Sequence, residues 1–142
     1  MRDKIYRKYR ETQINTADKG ALLLMLYEGA ILELSKLKQL LEKPKFDRME
    51  FSDHMVRAQN IIIELMGSLN LDDPRAQPIA GNLWKIYEYL VWRLMMADLK
   101  KDIKMIDEAL WHLQNLKEAW ETVINGTRKA AEGEHNLSSL VA

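Results

Sequence analysis

Few residue patterns in this chain have spacings that could do chemistry. Glu50 and His54, like Glu108 and His112, stand four residues apart, and Glu132 and His135 stand three apart. On a helix such spacings put a carboxylate and an imidazole on one face. A di-metal centre in a helical bundle uses a glutamate from each of two helices and Glu-x-x-His from two more. The one Glu-x-x-His here, Glu132 to His135, falls in a Gly-flanked terminal stretch. The other two pairs read as surface pairs on their helices, so neither a metal site nor a cofactor is expected. The 142 residues include no cysteine, which removes disulfide frameworks, thiolate zinc sites and thiol nucleophiles together. No phosphate-binding loop, dinucleotide fingerprint or nucleophile elbow occurs, and no serine sits in a nucleophile setting. The chain is not expected to be an enzyme.

Charge points the same way. Lys plus Arg and Asp plus Glu number 21 each, for a formal net charge of zero. A field strong enough to gather nucleic acid or anionic lipid does not follow from that balance. The basic N-terminus, with Arg2, Lys4, Arg7, Lys8 and Arg10 around Tyr6 and Tyr9, reads as a solvated arm rather than an RNA-stacking platform. Met1-Arg2-Asp3-Lys4 precedes no apolar run, so no secretory leader is expected and the expected compartment is the cytoplasm. Residues 21–27, the longest apolar stretch, are too short for a membrane span.

The elements that must position any site are helices. Four segments carry apolar residues at helical spacing, and none shows sustained alternation. The first is predicted over residues 18–42, with Leu22, Leu23, Leu26, Ala30, Leu34, Leu37 and Leu41 inward and Asp18 as N-cap. The second starts near Asp47, where Asp47 and Glu50 have capping-box spacing and Phe46 and Phe51 stand as a hydrophobic staple. Its inward face reads Phe51, Met55, Ala58, Ile62, Leu65 and Leu69. Residues 79–99 form the third, with Leu83, Ile86, Tyr87, Leu90, Leu94 and Ala97 inward. A tight turn at Lys100-Lys101-Asp102 leads to the fourth, over residues 103–124, with Ile106, Ala109, Leu110, Leu113, Leu116, Trp120 and Val123 inward. Short connections between long helices imply antiparallel neighbours. The expected fold is all-α: an antiparallel up-down four-helix bundle over residues 18–126, with an N-terminal arm or short helix (1–17) and a flexible C-terminal tail (127–142).

The helices carry more apolar surface than a lone bundle needs. If Leu83 points to the core, Trp84, Val91 and Met95 lie roughly 80–120° away, at about 100° per residue. Tyr89, Trp92 and Met96 lie farther round. On the first helix Leu24, Tyr27 and Ile31 form a second stripe. Trp111 sits about 160° from Leu113, facing solvent. A helix touching two neighbours and a diagonal partner can absorb a broad apolar face as core. A helix that is apolar nearly all round marks a partner surface, and methionines beside aromatics suit an adaptable contact. The surplus fits either a captured segment of another protein or a self-associating bundle.

Several motifs in order resemble one family. Tyr9-Arg10-Glu11-Thr12-Gln13-Ile14-Asn15-Thr16-Ala17-Asp18 is followed by Leu24-Met25-Leu26-Tyr27-Glu28-Gly29-Ala30. Arg57-Ala58-Gln59-Asn60-Ile61-Ile62-Ile63-Glu64-Leu65 comes next. Asn82-Leu83, Ile86-Tyr87-Glu88-Tyr89-Leu90, Arg93-Leu94, Ala97-Asp98-Leu99, Asp102 and Trp120 complete the set. Over residues 5–125 this resembles the flagellin-specific export chaperones, the FliS family. The family often has Ser or Thr and then Pro where this chain has Asp18-Lys19, and Asn where it has Asp98. The resemblance implies a cytoplasmic bundle that binds the C-terminal segment of flagellin. That segment is disordered as a monomer and helical in the filament; bound, it is held from early polymerisation and delivered to the export gate. Folding of such a segment onto apolar stripes matches the reading above. The expected grip is Leu24, Tyr27 and Ile31 of the first helix, Ile61 and Ile63 of the second, and Trp84, Val91 and Met95 of the third. Tyr27 equally suits the core with its hydroxyl bonded at the rim. The resemblance also implies that the arm, through Ile5, Tyr6, Tyr9 and Ile14, occupies the groove until flagellin displaces it. Trp111 is a candidate for a second partner.

Overall fold

Several helix ends fall on signals the chain carries, but the first helix starts at Thr16, so Asp18 lies inside it and is not its N-cap. In the computed structural model, residues 16–129 are described, with side chains placed for residues 19–126. The four helices are α1 (Thr16–Leu41), α2 (Arg48–Gly67), α3 (Gln77–Lys100) and α4 (Ile103–Lys129). The Asp47 carboxylate accepts from the amides of Met49 and Glu50 at 2.8 and 3.2 Å, capping α2. The Phe46 and Phe51 rings, 5.5 Å apart, close the staple. Pro78 sits in the first turn of α3, where no amide proton is needed. Lys101 ends α3 in the left-handed region at φ 50°, and its amide reaches back to the Ala97 carbonyl. Its ammonium lies 4.8 Å over the Phe51 ring, tying this turn to the start of α2. The same ammonium meets the Asp98 carboxylate at 2.9 Å, so the Asp98 charge is matched locally.

Each helix packs on two neighbours: α1 on α2 and α4, and α3 on α2 and α4. With short connections at residues 42–47, 68–76 and 101–102, this is the antiparallel four-helix bundle expected. One core runs its length, from Phe51, Leu37 and Ile106 through Leu34, Met55, Leu90 and Leu113 to Tyr27, Leu65, Tyr87 and Trp120. Salt bridges from Lys38 to Asp107 and from Lys117 to Glu28 lie along the α1–α4 seam. Among the described residues, no helix is long and apolar enough to cross a membrane.

Some details depart from the sequence reading. Leu40 is buried where Leu41 was expected, and Ile124 where Val123 was, each a shift of one residue around the helix. Ile86 and Leu116 are half-buried at the core's edge. The last helix continues through Gly126 to Lys129, because a single glycine costs a helix only about 1 kcal/mol. His54 does not pair with Glu50. Its Nδ1 lies 2.5 Å from Glu33 Oε2 of α1, where both side chains are largely covered. The arm residues Ile5, Tyr6, Tyr9 and Ile14, and the tail beyond residue 129, lie outside the described residues.

Candidate functional site

Two of the bundle's helices leave an apolar groove open between them. On α2 it is lined by Ile63, Met66 and Gly67, and on α3 by Trp84, Glu88, Val91, Trp92 and Met95. It holds about 560 Å³. From Trp84 to Met95 it follows α3 for about 17 Å, the length of roughly three helical turns. Gly67 contributes no side chain, and nothing lies within 4 Å of where its Cβ would be, so the α2 end of the groove stays open.

This groove exists because α3 carries apolar residues on more than its core stripe. Leu83, Tyr87, Leu90, Leu94 and Ala97 face the bundle. Trp84, Val91 and Met95 lie one step around the helix, half-buried to exposed, with Met95 at 48%. Across from them Ile63 is 51% exposed, and the apolar strip extends along α2 to Val56 and Met49 at seven-residue spacing. Leu99, 74% exposed, stands beyond the groove near the end of α3. So much unpaired apolar surface in one furrow is unusual for a monomer and suits a helical ligand.

Trp92 begins an aromatic belt that crosses to α4. Its ring is 5.9 Å from Tyr89, Tyr89 is 6.2 Å from His112, and His112 is 5.0 Å from Trp111, which is 62% exposed. Glu108 holds this belt in place. It accepts from the Tyr89 hydroxyl at 2.7 Å and from Arg93 Nε at 2.6 Å. The Tyr89 hydrogen bond, aided by the Arg93 guanidinium, holds the Glu108 carboxyl below its ordinary value of 4.5. His112 is a weaker neighbour, 3.8 Å away. Because the folded state lowers this carboxyl's proton affinity, its stabilisation is present above pH 4.5 and is lost as pH falls through the folded value. Glu108→Gln is expected to lower Tm by about 2–4 °C at neutral pH. The gap from wild type should narrow as pH falls below 4.5; a gap that is flat with pH would sink this assignment.

The eight residues expected to grip a client part company here. Ile63, Trp84, Val91 and Met95 come together in the groove. Leu24 and Ile31 are half-buried on α1, against the core's edge, and line no part of it. Tyr27 and Ile61 are core residues and present no surface to a partner. Ile61 follows Ala58 by one turn on a helix covered by both α1 and α3. Tyr27 meets the hydroxyl of Tyr87 across the bundle and accepts from Trp120 Nε1 at 3.1 Å, so its polar end is satisfied inside. Met66, Gly67, Glu88 and Trp92 were missed. Met66 lies one turn from Ile63, and Glu88 and Trp92 lie one and two turns from Trp84, so spacing alone could have found them. Among the described residues no cluster of His, Asp or Glu could hold a metal ion.

Comparison with known proteins agrees with the motif order. The family model for the flagellar protein FliS matches residues 2–127. The chain belongs to the FliS family. The flagellar secretion chaperone FliS of Bacillus subtilis is 30% identical over 133 residues, covering 94% of this chain and 96% of that protein. The flagellar secretion chaperone FliS of Salmonella typhimurium is 31% identical, covering 80% of this chain and 82% of its own. Flagellar secretion chaperone FliSB of Pseudomonas aeruginosa is 28% identical over a similar span, 80% and 86%. Its FliS relatives are thus named as chaperones of flagellar secretion.

Proposed function

We propose that this FliS-family chain is a cytoplasmic chaperone that binds the C-terminal segment of flagellin in the α2–α3 groove. In doing so it keeps that segment from polymerising early and helps deliver it to the flagellar export apparatus. The observation that carries this reading is the groove itself, with Ile63, Met66, Trp84, Val91, Trp92 and Met95 in its lining. Burying each large apolar side chain fully gains about 1.5–3 kcal/mol. Four or five such anchors outweigh an association and ordering cost of several kcal/mol. A segment that folds as a helix on this surface also covers the face with which it would join other flagellin molecules. The N-terminal arm, through Ile5, Tyr6, Tyr9 and Ile14, is proposed to cover the groove when no client is bound. Its short tether gives a weak contact a high effective concentration.

The test is titration with a peptide covering about the last forty residues of the host's flagellin, following heat and helix content. One-to-one binding, a gain in helicity and a negative heat-capacity change are expected. Absence of binding, with light scattering showing a stable dimer or tetramer, would replace this reading with self-association through the same stripes.

A further inference from the structure

Glu88 is the charged side chain among the groove's lining residues. On α3 it stands one turn from Trp84 and one turn from Trp92, so apolar surface flanks it along the groove in both directions. Among the described residues its carboxylate makes no hydrogen bond or ion pair. Arg93, the nearest arginine along the helix, is committed to Glu108 on the opposite side. Lys85, three residues before it, is exposed and lies outside the groove's lining.

We propose that Glu88 sets which apolar segments the groove accepts, and in what register. Its occupant is an amphipathic helix that carries a lysine or arginine against Glu88, with apolar residues one turn to either side. This inference rests on the reading of the groove as the client site. A wholly apolar segment laid here strips water from the carboxylate and returns nothing, which costs binding free energy. A basic side chain at that position replaces the lost water with a charge-assisted hydrogen bond, strengthened by the apolar surroundings. An acidic one is repelled. Ile63, Trp84 and Met95 provide affinity for many apolar helices, and Glu88 discriminates among them.

The full-length chain, E88Q and E88K are titrated with the same flagellin peptide and with variants in which each of its Lys or Arg residues is changed singly to Glu. E88Q is expected to weaken binding about threefold and E88K about tenfold or more. One of the peptide variants is expected to bind E88K better than it binds wild type. Glu88 is exposed, so thermal midpoints of both variants should match wild type. Wild-type affinity in E88K overturns the inference. So does a loss that no single change in the peptide reverses. Trp84→Ala in the same series separates this from the parent reading. If Trp84→Ala loses binding while E88K keeps it, charge selection alone fails. If Trp84→Ala also binds as wild type does, the groove is not the client site.

Discussion

Trp84→Ala is expected to weaken capture of the flagellin segment by about thirty- to a hundred-and-fiftyfold, the loss of about 2–3 kcal/mol that accompanies truncation of a large aromatic anchor. Trp84 lies at one end of the lining of α3, half-buried against the core and open to the groove. Its removal also thins the packing beneath, so a modest fall in stability accompanies the loss of affinity. Ile63→Ser removes that ambiguity. Its side chain is half in solvent and adds little to the fold, yet it forms the opposite wall. About tenfold weaker binding is expected there, with an unchanged thermal midpoint. Trp111→Ala serves as the contrast, because Trp111 is more exposed than either and sits on α4, outside the groove's lining. Calorimetric titration of the three variants gives the ranking. If Trp111→Ala costs as much as Trp84→Ala, the client crosses the aromatic belt and the groove holds only part of it.

The contrast between Trp84 and Tyr27 shows what helical periodicity can and cannot tell. Both stand beside a core stripe on a helix with surplus apolar residues. On α1 the surplus is absorbed: α2 and α4 flank it, and the diagonal contact to α3 takes Tyr27. On α3 the side toward Ile63 stays uncovered. The angle between residues on one helix is set by 3.6 residues per turn and is readable from spacing. Which side of that helix a neighbour covers depends on how the helices are arranged around the core, which spacing does not encode. For that reason nearly every buried position on α2 and α3 was legible, while the expected grip divided between groove, core and seam. Ile61 follows the same logic. It adjoins Ile62 and Ile63 in a run that reads as uniformly apolar, and only the packing separates two buried isoleucines from one that faces out. The Asp47 half of the capping box was legible, because a cap depends on a few consecutive residues rather than on the assembled bundle, while among the described residues the reciprocal bond from Glu50 does not form.

Tyr27→Phe is expected to be the most destabilising single-atom deletion in the described core. The Tyr27 hydroxyl sits between two partners: it meets the hydroxyl of Tyr87 and accepts from Trp120 Nε1. Both tyrosines are fully buried and Trp120 nearly so, which leaves no water to take over. Removing the Tyr27 oxygen takes the 3.1 Å acceptor from the indole N–H and the hydroxyl partner from Tyr87, which leaves Trp120 and Tyr87 only each other, at about 1–3 kcal/mol for an orphaned group. Tyr87→Phe is milder, because Tyr27 keeps Trp120 as its donor at 3.1 Å. Denaturant unfolding should therefore rank wild type above Tyr87→Phe and Tyr87→Phe above Tyr27→Phe, and the reverse order for the two variants would refute this network. A pH signature follows from the same burial. Desolvation pushes the Tyr87 hydroxyl up to about 12 from an ordinary 10.0, and Tyr27 is raised further by burial and by Tyr87 itself. In the unfolded chain both ionise near 10.0, so above that pH the folded state holds more protons than the unfolded one and stability falls as pH rises. Tyrosinate absorbance from these two rings should appear together with loss of helix between pH 10 and 12, not before it. In Tyr27→Phe one of the two linked ionisations is absent, so the alkaline slope is shallower even though the protein starts less stable. A core variant that keeps both tyrosines and loses stability through a cavity alone would keep the wild-type slope, so the slope reports the burial of these two phenols.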